Sequence, residues 1–115
     1  MVPYFLNSLE LIPDDDGGMW TVADELVYHS MACTIVVPKG FRTDLGSTPR
    51  FIWNILPPQT APRPFVLHDY LYTKKLYDRL ACDKFLLEAM IATGVEPWKI
   101  QVIYRAVRMF GKSHY

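Results

Sequence analysis

The chain has 115 residues, half of them apolar or aromatic and 21% charged, which suffices for one packed core and leaves no room for a second. Twelve basic residues balance twelve acidic ones, and that balance argues against general nucleic-acid binding. No apolar run approaches the roughly 20 residues of a bilayer-spanning helix, and the amino terminus lacks the basic leader and cleavage site of a secretory signal. The sequence therefore reads as one soluble domain, residues 1–115, without classical export.

The charge is unevenly placed. Residues 1–38 hold six acids and no Lys or Arg, whereas 39–115 hold six acids and twelve bases. Such a split makes either a dipolar surface for a charged partner or two solvated edges. Cys33 and Cys82 form no CxxC pair, a pattern of buried reduced thiols more than of a disulfide scaffold or zinc ribbon.

The first forty residues are rich in Tyr, Val, Ile, Thr and Trp and partly alternate. They predict three antiparallel strands, Tyr4 to Ile12, Met19 to Tyr28 and Met31 to Val37. Asp14-Asp15-Asp16-Gly17-Gly18 supplies hairpin turn chemistry, and Pro38-Lys39-Gly40 ends the third strand. The acid run is not a calcium loop of EF-hand type, which needs oxygen ligands alternating over twelve positions and closing on Glu.

Helical signals begin near Gly46-Ser47-Thr48-Pro49, where Ser47 or Thr48 can cap and Pro49 suits the first helical position of a short helix to Leu56. The proline-rich run from Pro57 to Pro64 predicts an extended surface loop. Pro64 then opens a helix over Phe65 to Thr73 that is apolar on every side and so should be buried, with His68 and Asp69 inside it. A further helix, Asp78 to Thr93, carries an apolar stripe at Cys82, Phe85, Leu86, Ala89 and Met90 and stops at Gly94. A last helix starts at Glu96-Pro97 and stops at Gly111. Gln101, Arg105, Arg108 and Lys112 form its solvated face, and Trp98, Val102, Ile103, Ala106, Val107, Met109 and Phe110 cover the rest. The fold class is thus α+β, an N-terminal antiparallel sheet of about three strands followed by three to four helices.

The motifs HExxH, GxSxG, GxGxxG and the P-loop are absent. The residues able to carry chemistry are Asp44, the pair His68-Asp69 with Tyr72 one turn on, and Asp83. If the helices around 65–73 and 78–93 form an antiparallel hairpin turning near 75–76, His68 and Asp83 fall at the same level. The carboxylate can then face the imidazole from the boundary of its own stripe. A carboxylate beside an imidazole orients the ring and raises its proton affinity, while desolvation acts in the opposite sense. Such a His can serve as a base or bind metal through its neutral nitrogen. The same groups could equally form a structural polar network, with Asp83 accepting from Tyr72 or Tyr77, Asp69 pairing with Arg63 or Arg79, and Asp44 bonding nearby amides. Ser47 fits a cap better than a nucleophile, and His29 and His114 lie in a predicted strand and the tail.

Several segments together carry a resemblance: Val37-Pro38-Lys39-Gly40-Phe41-Arg42-Thr43-Asp44-Leu45-Gly46-Ser47-Thr48-Pro49-Arg50, then Val66-Leu67-His68-Asp69-Tyr70-Leu71-Tyr72, then Ala81-Cys82-Asp83 and the closing Tyr104 to Gly111. Over about residues 35 to 111 the chain resembles the family catalogued as domain of unknown function 1353. Members are small proteins of tailed phages and bacterial prophages, so the resemblance implies a viral origin and action in a virion or in the cytoplasm of a host bacterium. It brings no established reaction. The family's motif residues map onto Asp44, Ser47, His68, Asp69 and Asp83, and Gly46 stands where many relatives carry Ala. The five residues from His68 to Tyr72 are also similar to the HDxCY helix of secreted phospholipases A2, without the disulfides and glycine-rich calcium loop that accompany it there.

Two functional expectations follow. In the first, His68, Asp69, Asp83 and Asp44 form one catalytic pocket. There a divalent metal held by His68, Asp69 and Asp83, or a general base, activates water against bacterial cell-wall material. One His with three carboxylates suits zinc, manganese and calcium about equally badly, which leaves the identity of such a metal open. In the alternative the chain is a non-catalytic virion or assembly component that contacts phage structural proteins through its acidic strands and basic last helix.

Overall fold

The computed structural model describes residues 2–13, 15, 19–43 and 62–110. Asp44, Ser47, the expected helix from Pro49 to Leu56, most of the proline-rich loop, most of the Asp14–Gly18 turn and the expected stop at Gly111 lie outside the described residues. The described part is α+β. Six short strands, β1 (Tyr4–Phe5), β2 (Leu11–Pro13), β3 (Trp20–Val22), β4 (Leu26–His29), β5 (Thr34–Val37) and β6 (Arg42–Thr43), precede three helices. These are α1 (Arg63–Lys74), α2 (Arg79–Ala92) and α3 (Pro97–Phe110).

The strands divide more finely than the residue pattern predicts. They form two antiparallel three-stranded sheets, ordered β1-β4-β5 and β2-β3-β6. The expected first strand breaks at Asn7, whose carboxamide donates to the Glu25 carbonyl at 2.5 Å and accepts from the Val27 amide at 3.0 Å, taking the place of backbone pairing. The expected second strand breaks at Asp24, whose carboxylate accepts from the Glu25 amide at 2.9 Å. Each long apolar run thereby supplies one strand to each sheet. Pro13 is tolerated because β2 is an edge strand.

The turn at Pro38–Phe41 ends β5 as expected. Gly40 adopts φ +89°, and its amide reaches the Val22 carbonyl at 2.9 Å, which carries the chain from one sheet to the other. The strand that follows, β6, pairs Thr43 with Trp20 and was not foreseen from the sequence.

β5 alternates exposed and buried residues, so Ile35 and Val37 share the inward face with their partners Tyr28 and Leu26. That face packs on Val66, Leu67, Leu71 and Tyr72 of α1 and on Cys82 and Ala89 of α2. Each fully buried Leu or Val stabilises the fold by about 1.5–3 kcal/mol. A second cluster, Phe65, Leu86, Met90, Val95, Ile100 and Ile103, joins the three helices. Helix α1 contributes to both clusters, which is the reason its sequence is apolar all round.

Asp78 caps α2 by accepting from the Ala81 amide at 2.7 Å. The helix stops in a Schellman arrangement, with Val95 N–H on the Met90 carbonyl, Gly94 N–H on the Ile91 carbonyl, and Gly94 at φ +81°. Both ends agree with the sequence expectation. α3 departs from its expected pattern, because Trp98, Val102 and Met109 are exposed while Arg108 turns inward. Both cysteines are free, Cys82 buried and Cys33 half-buried. Among the described residues no helix is long and apolar enough to cross a membrane.

Candidate functional site

α1 and α2 are joined by a tight turn in which Lys75 adopts φ +52° and donates to the Leu71 carbonyl at 2.9 Å. The reversal centres the antiparallel pair between 75 and 76, and His68 meets Asp83 as the spacing predicts. Nε2 of His68 lies 2.7 Å from Oδ1 of Asp83. The Tyr72 hydroxyl donates to the same oxygen at 2.5 Å, and its ring lies 4.1 Å from the imidazole between centroids. The other oxygen, Oδ2, accepts from Nη1 of Arg108 on α3 at 2.6 Å, with Nε of Arg79 at 4.0 Å.

Asp83 is completely buried and His68 is 8% exposed. Burial pushes the Asp83 carboxyl up, but hydrogen bonds from His68, Tyr72 and Arg108 outweigh it and hold the group below the ordinary carboxylate range. Burial and the Asp83 charge raise Tyr72, which keeps its proton and donates. Bonding to Asp83 raises Arg108 as well. The carboxylate is thus ionised and can only accept, so the imidazole proton shared with it resides on Nε2. Nδ1 makes no hydrogen bond among the described residues. A ring fixed at one nitrogen, with no hydrogen bond at the other among the described residues, has the chemistry to take a proton or to ligate.

The other expected residues separate from this pair. Asp69, next to His68 on the helix, points about 100° away from it and accepts from the hydroxyl of Thr43, on β6, at 2.5 Å. Asp44 follows Thr43 directly but lies outside the described residues. Among the described residues no group of three His, Cys, Asp or Glu side chains is arranged to hold a metal ion.

The sequence places neither Thr43 nor Arg108 at the site, and it offers Arg79 as a partner of Asp69 and not of the end of α3. Arg108 was legible in principle. Positions 83 and 108 are centred on Val95-Glu96, the turn between α2 and α3, by the same counting that pairs 68 with 83. Arg79 completes the contact, its Nη2 donating to the carbonyls of Val107 at 3.0 Å and Arg108 at 2.6 Å at the end of α3.

The described chain is thus two small sheets backing three helices, with a buried imidazole–carboxylate pair where the helices meet. The family model described as "Protein of unknown function (DUF1353)" matches residues 20–107, well over half of the chain, and the chain belongs to that family. No curated protein and no solved structure matches the chain.

Proposed function

We propose that this is a small hydrolase of phage or prophage origin in which His68, oriented by Asp83, acts as general base on water, and that its substrate is a bond of the bacterial cell wall. The observation that carries the reading is the 2.7 Å contact between Nε2 and the buried, ionised carboxylate. It leaves Nδ1 to accept a proton from water as the water attacks; Asp83 stabilises the imidazolium that results, which returns the proton to the leaving group as the scissile bond breaks. We favour the base over the metal-assisted form because both Asp83 oxygens are already engaged, by His68 and Tyr72 on one side and by Arg108 on the other. A ligating Asp83 would have to surrender those donors. Viral origin and cell-wall substrate rest on the family likeness and the setting in which phage proteins act.

The test is release of soluble fragments from purified peptidoglycan by the wild type and by a folded His68→Ala variant. Loss of release in the variant supports the base, and an inactive wild type overturns it. Added zinc, manganese or calcium should leave both the rate and the melting temperature of the wild type unchanged.

A second reading, a non-catalytic virion or assembly component, is favoured by a different observation. Trp98, Val102 and Met109, 57%, 45% and 71% exposed, stand along one line of α3 with the exposed Arg105 among them. Copurification with phage particles, lost on Trp98→Glu, supports that reading, and absence from particles removes it.

A further inference from the structure

We propose that Arg108 is the positioning residue of the imidazole–carboxylate pair, turning Asp83 so that one oxygen is reserved for His68 and making the state of the ring depend on how α3 docks. The proposal rests on the reading of His68 as a base and extends it to a third helix.

Arg108 lies in the last turn of α3, with its side chain one-third exposed, and sends Nη1 to Oδ2 of Asp83 at 2.6 Å. A guanidinium is a permanent cation with fixed donor directions. Bound to Oδ2, it fixes the rotation of the carboxylate, which brings Oδ1 to Nε2 of His68 and the Tyr72 hydroxyl. It also balances a charge that is fully removed from water.

The backbone from which Arg108 reaches is held in return. Arg79, one turn before Asp83 on α2, donates to the carbonyls of Val107 and Arg108, where the negative end of the helix dipole favours a cation. α2 thus grips the end of α3 by its backbone, while α3 grips α2 by a side chain. Among the described residues, the charged or titratable groups acting on the pair are Tyr72 from α1, Arg79 and Cys82 from α2, and Arg108 from α3, with Tyr104 acting on Arg108. Asp69 is turned to Thr43 on β6.

If Arg108 merely pinned two helices together, its removal would lower stability and leave the ring alone. If it positions the pair, its removal leaves Asp83 short of positive charge, and the imidazole is the neighbour able to supply it by taking a proton on Nδ1. Nitrogen NMR of the His68 ring at neutral pH separates the two. In the wild type Nε2 is expected to be protonated and Nδ1 not. Arg108→Gln should move the Nδ1 signal toward the protonated range, and Arg108→Met, which keeps part of the stem and drops the charge, should do the same. Arg108→Lys should hold the wild-type positions. In an Asp83→Asn background Arg108→Gln should add no further change.

Unchanged ring signals in a folded Arg108→Gln or Arg108→Met protein overturn the proposal. So does failure of both neutral variants to fold, which would make Arg108 an anchor first. The measurement uses no substrate, so the two ideas fail separately. A protein inactive on peptidoglycan that shows the expected ring shifts loses the base and keeps the positioning role.

Discussion

Removal of the Asp83 carboxylate perturbs the described structure at its most heavily shared point. In Asp83→Ala the His68 Nε2–H, the Tyr72 hydroxyl and the Arg108 guanidinium all lose their acceptor. A buried donor left unsatisfied costs about 1–3 kcal/mol. His68 and Tyr72 are both buried and cannot turn freely to water, whereas Arg108 is partly exposed and can rehydrate, so its share is small. Taken together the loss should be about 3–5 kcal/mol, the range seen when one partner of a buried ion pair is removed.

Against a total stability of about 5–15 kcal/mol that is a large fraction. With roughly 4 °C of melting temperature per kcal/mol for a domain of this size, the midpoint should fall by about 12–20 °C. Urea unfolding followed by circular dichroism measures it directly, with the slope unchanged and the midpoint lowered. Asp83→Asn keeps one acceptor oxygen and should lose less. A loss below about 1 kcal/mol in Asp83→Ala would refute the reasoning, since it would mean that the donors find other partners and that the carboxylate does not organise the three helices.

Three further outcomes depend on pH and thiol chemistry. Asp83 sits below its ordinary value in the folded chain, so between the folded and unfolded values the unfolded chain binds more protons. Its contribution should be fully present above about pH 4 and disappear as the pH falls through the folded value, and an acid titration of the urea midpoint should show a steeper drop in the wild type than in Asp83→Asn. Cys82 is pushed up to about 11, first by burial and then by the charges of Asp83 and Asp78. Its share of stability is complete below the unfolded thiol value near 9 and should be lost as the pH rises toward 11. At neutral pH a disulfide reagent should label the half-buried Cys33 in the native protein and reach the fully buried Cys82 only after denaturant is added.

The helical half of the molecule was legible because its signals are local and redundant. Asp78 before an apolar stripe and Gly94 after it mark the two ends of α2, and Pro97 opens α3 at its first position. The meeting of His68 with Asp83 follows from those ends, since a short turn fixes which levels of two antiparallel helices face each other. The strands were less legible. A run such as Met19 to Tyr28 has one composition throughout, and its division between two sheets is decided by side chains of Asn7 and Asp24 bonding to backbone some distance away or next door. Such competition between side chain and ladder leaves no periodic trace.

Arg108 shows the limit of assigning charged residues to a solvated face. Its helix position is compatible with solvent, and only the count across the second hairpin places it beside Asp83. The same assignment made Trp98, Val102 and Met109 core residues, whereas α3 buries Ile100 and Ile103 on a narrower face.

The central claim is that the imidazole held by Asp83 does chemical work through its second nitrogen. It is tested most directly by the ratio of cell-wall hydrolysis rates between the wild type and His68→Gln, compared at equal folded concentration. A general base contributes about 10²–10⁴-fold, so the account predicts a loss of at least about a hundredfold with the melting curve still cooperative. Equal rates in the two proteins, or no hydrolysis by the wild type, would contradict it and leave the His68–Asp83 contact as a structural fastening between helices.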